Sequence, residues 1–157
     1  MESTSPEARL VALGLTLPAP IGAGTNRVPI VRTGNLVFLS GHGPAPVPDG
    51  TVAAGKCGRD FTVDEGYLHA RLTGLSLLAT MRAELGSLDR VRRIVKVLGM
   101  VNCAPGFNRT SKVVDGCSDL LVEVFGTEVG RHARSAVGMA ELPLDFPVEI
   151  ELIAEVE

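Results

Sequence analysis

Residues 130–157 read GRHARSAVGMAELPLDFPVEIELIAEVE, and this stretch predicts more of the fold than any other. It contains two runs typical of β-strands, from Arg134 to Leu142 and from Val148 to Val156. In the second run, apolar side chains alternate with mostly acidic ones, the period of a strand with one buried face. The link at 142–147 holds two prolines, so we expect a hairpin that makes the two strands neighbours.

Upstream of this pair, the pattern predicts a hairpin, a further strand and two long helices. In the first helix the leucines recur every three or four residues, which gives one apolar stripe. The predicted strands run from Arg27 to Arg32, from Leu36 to Ser40 and from Val91 to Val101, and the predicted helices from Asp64 to Leu85 and from Lys112 to Phe125. The order predicts an α+β architecture, with two helices packed on one face of a mostly antiparallel sheet.

The length of 157 residues suits one domain, since a domain has roughly 100–200 residues. We therefore predict a single domain over 1–157, of which 1–18 form a helical leader and a loop. Ser5 is a candidate helix N-cap and Pro6 a candidate first helical residue, and Gly14 is expected to stop this short helix.

Composition excludes several classes of function. The net charge is −3, which argues against binding nucleic acid through a basic face. No apolar stretch reaches the ~20 residues of a membrane helix, and no basic region opens the chain, so we expect a cytoplasmic protein without a signal peptide or membrane contact. The three cysteines are an odd number without zinc spacing, so we expect reduced thiols and no metal site.

Two charged residues near the C-terminus are the candidates for chemistry. Arg134 opens a strand of small and apolar residues, where its planar guanidinium could bind a carboxylate through two hydrogen bonds. Glu149 lies on the strand predicted to be its neighbour and could hold or activate a water. Spacing alone leaves the alternative open that the two form a cross-strand ion pair without chemistry. The sequence has no phosphate-binding loop and no serine-nucleophile elbow.

Three motifs resemble those of the RidA/YjgF family, also called the endoribonuclease L-PSP family, and the likeness covers residues 19–157. They are Val31-Arg-Thr-Gly-Asn-Leu-Val-Phe-Leu-Ser-Gly41, Ala133-Arg-Ser-Ala-Val-Gly138, and Leu142-Pro with Val148-Glu-Ile-Glu151. The stretch 116–134 is more similar to a divergent RidA-like subgroup. The resemblance implies a chorismate-mutase-like fold and a homotrimer with pockets at the subunit interfaces. It also implies hydrolysis of 2-imino or 2-enamino acids to keto acids and ammonia, without metal or cofactor.

The resemblance assigns roles residue by residue. Arg134 matches the arginine that binds the substrate carboxylate, and Glu149 matches the glutamate associated with the attacking water. Ser40 and Gly41 match the Ser-Gly of the pocket wall.

Other positions depart from the archetype. Arg27 stands where the family often has a tyrosine, His42 replaces a glutamine, Ala136 replaces a cysteine, and Asp115 lies near a frequent asparagine. His42 could titrate in the pocket or be a turn histidine in solvent. Phe107 could cap the pocket or anchor a loop.

These residues leave three functions to compare. The first is hydrolytic deamination of small imino or enamino acids, or a related small-carboxylate hydrolysis. The second is a non-catalytic homotrimer that binds a small carboxylate, which the departures at Arg27, Asp115 and Ala136 motivate. The third, ribonuclease or translation-inhibitor activity, is the weakest because RNA binding should need a basic surface.

Overall fold

A computed structural model describes residues 5–47 and 49–157, so residues 1–4 and 48 of the predicted domain lie outside the description. The elements in chain order are α1 (Pro6–Ala12), β1 (Ile30–Thr33), β2 (Leu36–His42), α2 (Val63–Leu85), β3 (Val91–Asn102), α3 (Thr110–Gly130), β4 (Ala133–Met139) and β5 (Val148–Val156). Short 3-10 turns occupy Leu88–Arg90 and Pro143–Asp145.

Local chemistry explains where the helices begin. The Ser5 hydroxyl accepts a hydrogen bond from the Ala8 amide at 3.3 Å, and Pro6 opens α1, as predicted. α2 starts with a capping box, in which Thr62 and Glu65 satisfy each other's backbone amides. α3 extends beyond its predicted end, because the backbone breaks at Gly126 and helical structure resumes as far as Gly130.

The five strands form one sheet in the order β1-β2-β5-β3-β4. All neighbours are antiparallel except β3 and β4, which pair in parallel through the α3 crossover, so the sheet is mixed. The predicted hairpin of the last two strands is wrong. β5 lies between β2 and β3, because the link at 142–147 carries the chain from the sheet edge back to its centre.

Helices cover only one face of this sheet. Residues 148, 150, 152, 154 and 156 of β5 are buried under α2, as their alternation predicted, and the core is built of Leu, Val and Ile. The described residues contain the two predicted long helices, α2 and α3, and the predicted short leader helix, α1, which packs against α3. The opposite face carries half-exposed apolar side chains, among them Val31, Phe38, Val137 and Met139.

Candidate functional site

A cavity of about 550 Å³ opens where β2 ends and β5 begins. Four of the eight predicted site residues line it, namely Arg27, Ser40, Gly41 and Glu149. Much of the remaining wall is apolar and includes Leu144 and Phe146. We call this space the Glu149 cavity.

A β-bulge shapes the polar end of the Glu149 cavity. Leu39 pairs with Leu152 and His42 with Ile150, so two residues of β2, Ser40 and Gly41, stand opposite a single residue of β5. A Cβ atom on Gly41 would lie 2.0 Å from the Glu149 Oε1 atom. The Glu149 carboxylate can therefore occupy its place only because residue 41 has no side chain.

Ser40 ties the bulge to the segment before β1. Its hydroxyl donates to the Val28 carbonyl at 2.8 Å, and its amide donates to the Pro29 carbonyl at 2.9 Å. These bonds hold the segment that brings Arg27 to the cavity. Ser40 therefore has a structural task, and its hydroxyl hydrogen is already engaged.

The Glu149 side chain is partly buried and has no hydrogen-bond partner among residues 5–47 and 49–157. Burial raises the pKa of its carboxyl group, and the negative charge of Glu151 raises that pKa further. Both effects disfavour the ionised form. A carboxyl with a raised pKa and free oxygens is suited to take a proton from a water and to return it.

An unusual turn closes the other side of the cavity. Leu144 and Asp145 both have positive φ, 55° and 57°, although neither is glycine. The turn is held in place because the buried amide of Asn102 donates to Asp145 Oδ1 at 2.9 Å and the Gly55 amide donates to the Asp145 carbonyl at 2.7 Å. It presents Leu144, which is 80% exposed, at the wall of the cavity. Sequence reasoning missed this turn.

His42 is neither in the cavity wall nor in solvent, so both sequence-based alternatives for its position are corrected. Its ring is fully buried between β2 and α2. Nδ1 lies 2.6 Å from the Ser40 carbonyl oxygen, and Nε2 lies 2.8 Å from the Thr80 hydroxyl. Burial lowers the pKa of His42, against the opposing effect of the Ser40 hydrogen bond. The ring fastens the bulge to α2 and has no free nitrogen for a ligand.

Arg134 lies in a second polar group, which we call the Arg134 cluster, formed by Arg134, Asp115, Ser118 and His132. Arg134 Nη1 donates to Asp115 Oδ1 at 2.9 Å and to the Ser118 hydroxyl oxygen at 3.0 Å. The Arg134 side chain remains 22% exposed. Asp115 was a predicted site residue, whereas Ser118 and His132 were missed because they lie outside the matched motifs of the last two strands.

The predicted juxtaposition of Arg134 and Glu149 is wrong within one chain. Val97 of β3 pairs with Arg134 on one side and with Leu152 on the other, so these three side chains share the helix-covered face. Glu149 is three residues from Leu152 and points to the opposite face. The two charged residues are separated by roughly 10 Å along the strands and roughly 10 Å across them. The cross-strand ion pair is therefore not formed either.

Phe107 also lies away from the Glu149 cavity. Its ring packs over Gly58, where a Cβ atom would be 2.7 Å from Phe107 Cδ2. It lines a separate surface recess with residues 58–63 and 65, and it packs against the hydrophobic core. Within one chain, Phe107 therefore anchors a loop and does not cap the Glu149 cavity.

The described residues hold neither a metal-binding cluster nor a membrane-spanning helix. Within 5–47 and 49–157, no group of three or more His, Cys, Asp or Glu side chains is placed to hold a metal ion. None of the helices in the same residues combines the length and the apolar character needed to cross a membrane.

Comparison with known proteins places the chain in a family. Residues 7–156 match the family described as "YjgF/chorismate mutase-like, putative endoribonuclease". The chain is 44% identical over 148 residues to Protein TCP17 of Trypanosoma cruzi, covering 94% of this chain and 92% of the relative. It therefore belongs to the YjgF/RidA family and has its chorismate-mutase-like α+β fold.

Two solved structures illustrate the range of similarity. A crystal structure from Shewanella oneidensis MR-1, described as a "putative endoribonuclease", has a TM-score of 0.89 at 37% identity and covers 97% of this chain and 99% of its own. Escherichia coli TdcF with bound serine has a TM-score of 0.62 at 27% identity, with 88% of this chain and 94% of its own chain covered.

Proposed function

We propose that this protein hydrolyses small 2-imino or 2-enamino acids to 2-keto acids and ammonia, at sites formed between the subunits of a cytoplasmic homotrimer. The observation that carries the proposal is the Glu149 carboxyl. It is partly buried, its pKa is raised, and the glycine at position 41 leaves the room that its oxygens occupy. Membership of the YjgF/RidA family supports the assignment.

A second copy of the chain is needed to complete this site. Arg134 and Glu149 lie on opposite faces of the sheet, so one chain cannot place both against the same small substrate. The face without helices is partly apolar and holds Val137 in the same row as Met100 and Glu149. Packing this face against other copies would bury its apolar side chains. Because β4 is an edge strand of the sheet, Arg134 lies at the margin of this face, where Glu149 of a neighbouring copy can approach it.

The proposed reaction needs one anchor and one proton relay. Arg134 binds the substrate carboxylate through paired hydrogen bonds, which orients the electrophilic carbon of the C=N group. A water adds to that carbon while ionised Glu149 takes its proton. Glu149 then returns the proton to the nitrogen, which gives a tetrahedral carbinolamine. In a second step Glu149 takes the hydroxyl proton as the C=O group forms and passes it to the nitrogen, so that the C–N bond breaks and ammonia leaves. TdcF with bound serine, a relative that holds a small amino acid, supports a ligand of this size.

The test uses an imino acid generated in place by an amino-acid oxidase, with keto-acid and ammonia release measured above the rate in buffer. The wild type should accelerate release, and both Arg134→Ala and Glu149→Gln should reduce that acceleration at least about 100-fold. Glu155→Gln is the matched control, because Glu155 lies farther along the same face of β5 and outside the wall of the Glu149 cavity. A wild-type rate in Arg134→Ala would refute the assignment.

The pairing of Arg134 with Asp115 favours a second candidate, a non-catalytic trimer that binds a small carboxylate. A carboxylate already bound to the guanidinium lowers the local positive charge, and Lys112 lies 3.7 Å from the same aspartate. Calorimetry with a short 2-keto acid distinguishes the two. Binding without turnover of several imino acids favours the second candidate, whereas turnover favours the enzyme. In either case Asp115→Asn should tighten binding a few-fold, since the amide oxygen can still accept from Arg134.

A further inference from the structure

A chain of hydrogen bonds runs from the end of α3 to Arg134. His132 Nδ1 lies 2.7 Å from the Gly130 carbonyl oxygen, and His132 Nε2 lies 3.0 Å from the Ser118 hydroxyl. The same hydroxyl oxygen accepts from Arg134 Nη1 at 3.0 Å. The proposed reaction does not by itself require either Ser118 or His132.

The chemistry of the partners sets the direction of each bond. A backbone carbonyl can only accept, so His132 carries its hydrogen on Nδ1 and, when neutral, has a free lone pair on Nε2. The Ser118 hydroxyl must then donate to Nε2. Its oxygen lone pairs are left to accept from Arg134, which can only donate.

The occupied atoms determine which edge of the guanidinium is available. Nη1 uses both hydrogens, one on Asp115 and one on Ser118. Nη2 makes only a long contact of 3.5 Å to the Ser111 carbonyl, and Nε–H has no partner among the described residues. The Nε–Nη2 edge is therefore the one that remains for a ligand carboxylate. This edge offers two parallel N–H groups with the geometry that a bidentate carboxylate needs.

We propose that Ser118 and His132 are positioning residues for Arg134, which hold Nη1 so that the Nε–Nη2 edge faces the substrate carboxylate. This inference rests on the proposed function, because it assumes that Arg134 is the carboxylate anchor. Asp115 alone supplies one acceptor and leaves the guanidinium free to turn about that bond. The second acceptor, fixed by His132, defines the plane of the group.

The neutral state of His132 is part of this arrangement. If Nε2 gains a proton, it can no longer accept from Ser118, and a second cation stands beside Arg134. Burial lowers the pKa of His132 and Arg134 lowers it further, against the Gly130 hydrogen bond, so the neutral form is favoured in the fold. His132 lines a surface recess together with the charged residues Arg93, Glu128 and Arg131, and Asp115 lies beyond Arg134.

The experiment compares four purified full-length proteins: wild type, Ser118→Ala, Ser118→Thr and His132→Gln. For the imino-acid reaction, Ser118→Ala should raise KM about tenfold with kcat changed less than about twofold, because binding of the carboxylate is what weakens. Ser118→Thr keeps the hydroxyl and should retain the wild-type KM. His132→Gln keeps an acceptor that cannot titrate.

The pH dependence of KM distinguishes the two roles, because a purely structural role of His132 would leave that dependence unchanged. In the wild type, KM should rise as the pH falls below 6.5, the ordinary pKa of histidine, whereas His132→Gln should keep a flat KM over that range. If KM of Ser118→Ala equals that of the wild type, or if His132→Gln retains the acid rise, the inference is overturned while the proposed function stands. If the wild type neither turns over imino acids nor binds a 2-keto acid in calorimetry, the proposed function fails and the inference fails with it.

Discussion

The Glu149 cavity and the Arg134 cluster hold the two charged groups of the proposed reaction in contrasting surroundings. Asp115 and Ser118 occupy the Nη1 hydrogens of Arg134, and His132 in turn orients Ser118. Glu149 has a partly apolar cavity, a glycine beside its oxygens and no hydrogen-bond partner among the described residues. A group that anchors a substrate gains from fixed geometry, whereas a group that carries a proton gains from a raised pKa and from space for a water.

A side chain at residue 41 should have the largest effect, because it would displace the Glu149 carboxylate from its place in the cavity. In Gly41→Ala the new Cβ would lie 2.0 Å from Glu149 Oε1, so the carboxylate must move. We expect the rate of imino-acid hydrolysis to fall about 100-fold. The free energy of unfolding should fall by less than about 1 kcal/mol, because the end of the flexible Glu149 side chain can move aside. Gly22→Ala is the control, because a Cβ there meets nothing within 4 Å. A wild-type rate in Gly41→Ala would mean that the position of Glu149 is unimportant.

Removing the support of the turn at 143–145 should have the next largest effect. Buried Asn102 donates to Asp145 Oδ1 and accepts from Lys56 Nζ at 2.7 Å, so Asn102→Ala leaves both groups without this partner. We expect a loss of about 2 kcal/mol in the free energy of unfolding, measured by denaturant titration. The exposed bond of Asn35 to Glu155 offers a control, and Asn35→Ala should cost less than about 0.5 kcal/mol. Equal losses in the two variants would contradict a special role for the turn.

The smallest expected effect is a dependence of stability on pH that belongs to Glu149 alone. Its pKa is raised above the ordinary 4.5 in the fold, so the folded state binds the proton more tightly than the unfolded state does. Ionising Glu149 therefore costs stability, and this cost appears as the pH rises above 4.5 through the raised pKa.

Glu149→Gln removes that cost. The variant should be more stable than the wild type at neutral pH. The difference should disappear below pH 4.5, where Glu149 is protonated in both the folded and the unfolded wild type. The measurement is the denaturation midpoint of both proteins across this pH range, with Glu155→Gln as the control. A constant difference at every pH would show that packing, not ionisation, causes it.

The strands could be predicted from the sequence, but their order could not. Period-two alternation marks β5, and leucine spacing marks α2, because both signals are local. The position of β5 between β2 and β3 depends on pairing between segments far apart in the chain. The parallel pairing of β3 with β4 requires the α3 crossover. The proline-containing link at 142–147 predicted instead that β4 pairs with β5.

Part of the candidate site could likewise be predicted from the sequence, and part could not. The motifs pointed to Gly41 and Glu149, which the bulge and the strand bring together at one cavity. No sequence signal placed His42 under α2, since a histidine in a turn-rich stretch has no periodic pattern to show burial. Leu144 and Asp145 were missed because leucine seldom adopts a positive φ, and because the turn is held by Asn102 of β3, which is distant in the sequence.

The place of β5 in the sheet also bears on how the molecule is made. It is the last strand in chain order, yet among the described strands it is the one that pairs with both the β1–β2 hairpin and the β3–β4 pair. On the ribosome these two halves emerge first, each with a strand edge that nothing covers. The sheet can be completed only after β5 leaves the exit tunnel, so the nascent chain passes through a stage in which both edges are open to association with other chains.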